Sequence, residues 1–136
     1  MKALGVLQRL AGQAVDRERR ALLAIGAEIT EVEGRIENWM RTMENEASAS
    51  PDFRTSGATL PAFIEASKAR VRALEERLAD LQQAHEAQLE RVRRERVEEK
   101  RFERLAERRS KQAALEAAAR EQKTIDDLVA MRRSEK

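Results

Sequence analysis

His85 is the single histidine among 136 residues, and with no cysteine and no tyrosine beside it the chain holds few groups able to ligate a metal or exchange a proton near neutral pH. A metal site needs further His, Cys or convergent carboxylates, and none stands at ligand spacing from His85. Neither a Gly-rich loop that would cradle phosphate nor a nucleophile with a supporting base is present. These residues point away from an enzyme, a metal site or a bound cofactor. The absence of cysteine also excludes disulfides and thiolate sites. His85 is expected to be a polar residue tolerated within an apolar seam.

The elements that would carry such a seam follow from composition. Charged residues make up 38% of the chain and aromatic residues 3%, with Ala, Glu, Arg and Leu dominating, which is the profile of a long helix or coiled coil. So few large apolar side chains cannot fill a globular core, so burial must run along a narrow stripe in a single folding unit spanning residues 1–136. The 27 basic and 25 acidic residues nearly cancel to a net charge of +2, which favours a solvated, ion-paired surface over an electrostatic nucleic-acid binder. No apolar run approaches the roughly 20 residues that cross a bilayer, and Gln8 and Arg9 interrupt the opening stretch before it could form a signal-peptide core. A cytoplasmic chain without membrane insertion is expected.

One break divides the sequence. The stretch from Ala47 to Pro61 contains both prolines and loses the helical pattern: Pro51 cannot continue a helix, Gly57 permits positive φ, and Pro61 suits the first turn of a following helix. The spacing predicts helix 1 over about 2–47, a turn over 48–60 and helix 2 over about 61–132. In helix 1, Val15, Leu22, Ile29, Ile36 and Met43 recur every seventh residue, and Leu4, Ala11, Ile25, Val32 and Trp39 form the second row, interrupted only by Gln8 and Glu18. Helix 2 repeats the pattern through Ile64, Ser67, Val71, Leu74, Leu78, Leu81 and His85, then Leu89 or Val92, beyond which the strict seam weakens. The fold class is therefore all-α, an antiparallel two-helix coiled-coil hairpin with a longer C-terminal helix.

The simplest pairing sets residue i opposite a residue near 108 minus i, placing Ile36 by Val71, Ile29 by Leu78 and Leu22 by His85. Helix 1 would span roughly 65–70 Å and helix 2 roughly 105 Å at 1.5 Å per residue, so pairing runs out near Arg104. The last thirty or so residues then lack an intramolecular partner, although Ala113–Ala119 and the i,i+4 pairs Glu107/Lys111 and Glu116/Arg120 keep them helical. Comparable pairs, Asp16/Arg20, Glu31/Arg35, Glu37/Arg41 and Glu90/Arg94, are expected on the outer faces.

Three surfaces could bind a partner. The tract from Arg91 to Arg109 holds nine basic residues, Arg101, Arg104 and Arg108 among them, against Glu95, Glu98, Glu99, Glu103 and Glu107, an excess of four positive charges. It reads either as a solvated face or as a dock for an acidic protein, with nucleic acid disfavoured because acids interleave and no aromatic platform is present. Trp39, Met40, Met43, Phe53, Leu60, Phe63 and Ile64 gather near the turn, where they either close the hairpin or expose a binding patch. Ile125, Leu128, Val129 and Met131 form an apolar stripe that either frays or docks as a helix in a groove. Gly5, Gly12, Gly26 and Gly34 inside helix 1 read as tolerated residues or as points of close helix approach.

Leu7-x-x-Leu10 followed by Ala14-Val-Asp-Arg-Glu-Arg-Arg20, the Phe63-Ile64 start of helix 2, Glu99-Lys-Arg-Phe-Glu-Arg-Leu105 and the closing Gln122-Lys-Thr-Ile-Asp-Asp-Leu-Val-Ala-Met-Arg132 occur in an order that resembles the FliJ family. These are small coiled-coil stalk proteins of flagellar type III export with injectisome relatives. Asp126-Asp127, where the family more often has Asp-Glu, and the helix 1 glycines depart from its pattern. The resemblance implies a non-enzymatic stalk similar to the central subunit of rotary ATPases, promoting assembly of a hexameric export ATPase and also contacting the export gate membrane protein. Carried onto this chain, Gln122, Ile125, Leu128 and Arg132 with Arg101, Arg104 and Arg108 would meet the ATPase, and Trp39, Met43 and Phe63 the gate. Export chaperones are a further implied partner, the site of action is cytoplasmic beside the membrane-bound apparatus, and a monomer is expected in isolation. The alternative is a generic structural coiled coil whose helices pair between chains, against which the Ser/Pro/Gly turn argues.

Overall fold

The computed structural model describes residues 2–48 and 59–135. Helix α1 runs Lys2–Ser48 and helix α2 runs Thr59–Ser134, with no strand among the described residues. Ser48, Thr59 and Leu60, expected in the turn, are helical; the rest of that stretch, including Pro51, Phe53 and Gly57, lies outside the described residues. Pro61 falls in the first turn of α2, where the amide it lacks has no intrahelical acceptor. Arg132 and Arg133 stand in the last turn, the favourable sign for the negative end of the helix dipole. The helices are long because both sequences are rich in strong helix formers and hold no internal proline after Pro61.

By packing, the chain divides into two compact units, Asp16–Arg93 and Met1–Val15 with Arg94–Lys136. In the first, three contacts run in opposite directions along the two helices and so establish antiparallel pairing. The Arg70 guanidinium lies over the Trp39 ring, Arg77 bridges to Glu28 at 3.1 Å, and Gln88 donates to the Glu18 carbonyl at 2.9 Å. Val32, Val71 and Leu81 are buried, while Leu22, Ile25, Ile29, Ile36, Leu74 and Leu78 are half-buried. Half-burial follows from geometry, since each seam residue has one facing helix rather than a ring of neighbours. Fully burying such a side chain contributes roughly 1.5–3 kcal/mol, so these positions contribute about half that each.

In the second unit, Leu4, Ala11 and Val15 are buried on α1. A carboxylate oxygen of Glu99 lies 3.5 Å from where a Cβ on Gly12 would stand, and Leu4, Gly5 and Gln8 share a shallow depression with Ala106, Arg109, Ser110 and Ala113. The seam expected to weaken after Val92 continues with the same spacing through half-buried Glu95, Glu99, Phe102 and Ala106. Its composition changes, and polar side chains now line it. After Ala106 every described residue of α2 is exposed.

The outer-face ion pairs are fewer than expected. Glu31/Arg35 and Glu37/Arg41 form, at 2.7 Å and 2.5 Å. Glu90 pairs with Arg93 one residue earlier than Arg94, at 2.9 Å, and Asp16/Arg20, Glu107/Lys111 and Glu116/Arg120 make no ion pair. All of these side chains are solvated, where an i,i+3 and an i,i+4 partner differ by a few tenths of a kcal/mol. At Gly5, Gly26 and Gly34 an added Cβ would meet nothing within 4 Å. Close approach within the chain therefore does not explain these three glycines.

Candidate partner-binding surfaces

Near the N-terminus of α2, the apolar group around the helix ends is only partly covered. Trp39, Met43, Leu60, Phe63 and Ile64 are half-buried and Met40 is exposed. Trp39 occupies a seam position and is held on one side by the Arg70 guanidinium, 5.1 Å from the ring centroid. Leu60 and Phe63, with Glu46 and Thr59, line an open depression of about 280 Å³. Two helices bring these side chains together without enclosing them, because among the described residues of this unit no third element lies over them. Phe53, the remaining member of the expected cluster, lies outside the described residues.

The basic tract is sorted by the helix itself. All nine bases from Arg91 to Arg109 are exposed, whereas Glu95, Glu98 and Glu99 are half-buried, Glu99 against Gly12 of α1. The near balance of charge in the sequence thus becomes a more basic outer surface. Arg101 pairs with Glu98 at 2.9 Å, but Arg104 and Arg108 form no ion pair among the described residues. Together with Glu98, Phe102 and Leu105 these arginines line a shallow depression of about 340 Å³. Guanidinium groups beside aromatic and aliphatic carbon are suited to a carboxylate-bearing protein surface.

The C-terminal stretch carries its apolar residues in the open. Leu115 is 72% exposed, Leu128 60% and Met131 62%, and Ile125 and Val129 are also exposed. Gln122 donates to Asp126 at 3.1 Å, so this polar pair lies along the helix rather than reaching another element. Arg132 is exposed in the last turn. Leu115 was not among the expected docking residues, since an isolated leucine in the Ala-rich stretch gives no periodic signal. Val6, Leu7 and Leu10 were also missed as a surface. They are exposed on α1, off the row containing Leu4 and Ala11, and the signal available was their departure from that heptad spacing.

His85 is half-buried on the seam between Leu81 and Gln88, without a hydrogen bond among the described residues. No group of three or more metal-ligating side chains occurs among them, and no helix is long and apolar enough to cross a membrane.

Two antiparallel helices joined by a heptad seam, with partly covered apolar and basic surfaces, define an all-α coiled-coil hairpin. A family model described as Flagellar FliJ protein matches residues 1–136, the whole chain, and the chain belongs to the FliJ family. That is a structural coiled-coil family of flagellar type III export, which makes this chain a flagellar export-apparatus protein. Comparison with curated proteins and with solved structures gave no match.

Proposed function

We propose that this chain is a non-enzymatic stalk of the export apparatus that binds the hexameric export ATPase, promotes its assembly and couples it to the export gate. The observation that supports this reading is the C-terminal part of α2. It remains helical to Ser134 although no described residue after Ala106 is even half-buried, and it displays Leu115, Ile125, Leu128, Val129 and Met131 to solvent. A helix with so much bare apolar surface gains stability when that surface enters a groove on another protein. The unpaired Arg104 and Arg108 extend the same binding surface toward an acidic partner. Trp39, Met43 and Phe63, partly covered near the C-terminal end of α1 and the N-terminal end of α2, are assigned to the gate. Export chaperones would compete for these exposed surfaces.

The test is direct. Adding the full chain to the cognate export ATPase raises hexamer formation and ATP turnover, and a chain ending at Arg109 loses most of that effect. Unchanged stimulation by the shortened chain would remove the C-terminal helix from the proposal.

A further inference from the structure

Glu18 is the only acidic residue on the α1 seam, and it faces Gln88, the most buried polar residue of α2 after Ser67, only 6% exposed. The Gln88 side-chain amide donates one hydrogen to the Glu18 backbone carbonyl at 2.9 Å and the other to the Glu18 carboxylate. Two positions that break the apolar pattern, one on each helix, thus satisfy one another across the helix pair. Elsewhere the seam holds little information about alignment. Ile25, Ile29, Val32 and Ile36 oppose a run of Val71, Leu74, Leu78 and Leu81, and a shift by one heptad would still place Ile25 by Leu74 and Ile29 by Val71 in one direction, or Val32 by Leu81 and Ile36 by Leu78 in the other.

We infer that the Glu18–Gln88 pair is the register lock of this hairpin, selecting one alignment of α1 against α2 over those displaced by a heptad. A shift in one direction sets the Glu18 carboxylate against Leu81 and the Gln88 amide against Ala11. A shift in the other sets Glu18 against Glu95 and Gln88 against Ile25. Both leave polar groups desolvated without partners, and the second adds like-charge repulsion. A polar seam residue that costs stability but fixes register is a recognised device of coiled coils. Here its consequence is the number of α2 residues left without a partner. Both helices run unbroken through the pair, so a heptad shift changes the length of bare C-terminal helix by seven residues, about 10 Å.

The chain has no cysteine, so spin labels can be placed at A27C and A79C, two exposed positions of the same packed unit, and their separation measured by pulsed dipolar spectroscopy. The otherwise unchanged chain should give one narrow distance. E18L/Q88L, which restores an all-apolar seam, should melt at a higher temperature yet show a second distance displaced by the heptad shift. E18Q, which keeps a side-chain oxygen to accept from Gln88 and leaves the bond to the residue 18 backbone carbonyl in place, should retain the single distance. A single unchanged distance in E18L/Q88L would overturn the inference and assign the register to the connection between the helices or to the Glu28–Arg77 and Trp39–Arg70 contacts.

Discussion

The guanidinium of Arg70 lies 5.1 Å from the centroid of the Trp39 ring, joining α2 to α1 across the edge of the seam. Arg70 is exposed and the ring half-buried, so the contact shields one ring face while leaving the remainder accessible. Exposed cation–π pairs are worth about 0.5–1 kcal/mol. A double-mutant cycle on R70A and W39F, read by urea unfolding, should return a small coupling, about half of this, because Phe offers a weaker ring than Trp. Trp39 is the only tryptophan, so acrylamide quenching of its fluorescence reports on this site alone and should increase in R70A. Quenching equal to that of the unmodified chain would mean that the stacked arrangement does not persist in solution.

Ser67 is 1% exposed and its hydroxyl has no hydrogen-bond partner among the described residues. A buried unsatisfied hydroxyl is unfavourable, and Ala is the better helix former. S67A should therefore be neutral or stabilising by up to about 1 kcal/mol. S67L places extra carbon where no space remains and should destabilise by about 1–3 kcal/mol. Chemical denaturation of both variants checks the pair of signs. A substantial loss of stability in S67A would show that the hydroxyl has a partner, such as a bound water.

Gly26 and Gly34 stand inside a continuous helix with nothing near their missing side chains. Each costs helix stability through backbone entropy without providing a close approach. G26A and G34A should each stabilise by about 0.4–1 kcal/mol and, being two turns apart on a solvated face, should add nearly independently in thermal unfolding. If the double variant is stable but stimulates the export ATPase less well, the compliance of α1 is functional rather than tolerated.

The helices were legible in the sequence because their signals are local. The heptad rows of α1, the interruption around Pro51 and Pro61 and the Ala-rich stretch after Ser110 each depend on neighbours along the chain. The Glu18–Gln88 contact was not, since Glu18 alone reads as a break in the seam and Gln88 lies between His85 and Leu89 without a signal of its own. Only antiparallel alignment brings the two together, and the rule pairing residue i with about 108 minus i already brought them within two residues. The surface charge was equally hidden. Counting the Arg91–Arg109 tract gives an interleaved series, whereas in the helix Glu95, Glu98 and Glu99 are half-buried and the bases are all exposed. The ion pairs at Glu107 and Glu116 failed to appear because a solvated i,i+4 spacing permits a bridge without enforcing one.

If the proposed stalk role holds, charge and apolar surface on α2 should make separable contributions to binding the export ATPase. Arg104 and Arg108 are exposed and form no ion pair among the described residues, so R104A/R108A should leave stability within about 0.5 kcal/mol while slowing association and flattening its dependence on salt. Ile125 and Leu128 are exposed on the same helix, and I125S/L128S should instead raise the dissociation rate with little change in the salt slope. Surface plasmon resonance across a series of ionic strengths distinguishes the two behaviours. If both variants bind like the unmodified chain, neither surface contacts the ATPase. If only the arginine variant weakens, the bare apolar helix serves another partner, and the chain ending at Arg109 should then retain its stimulation of the ATPase.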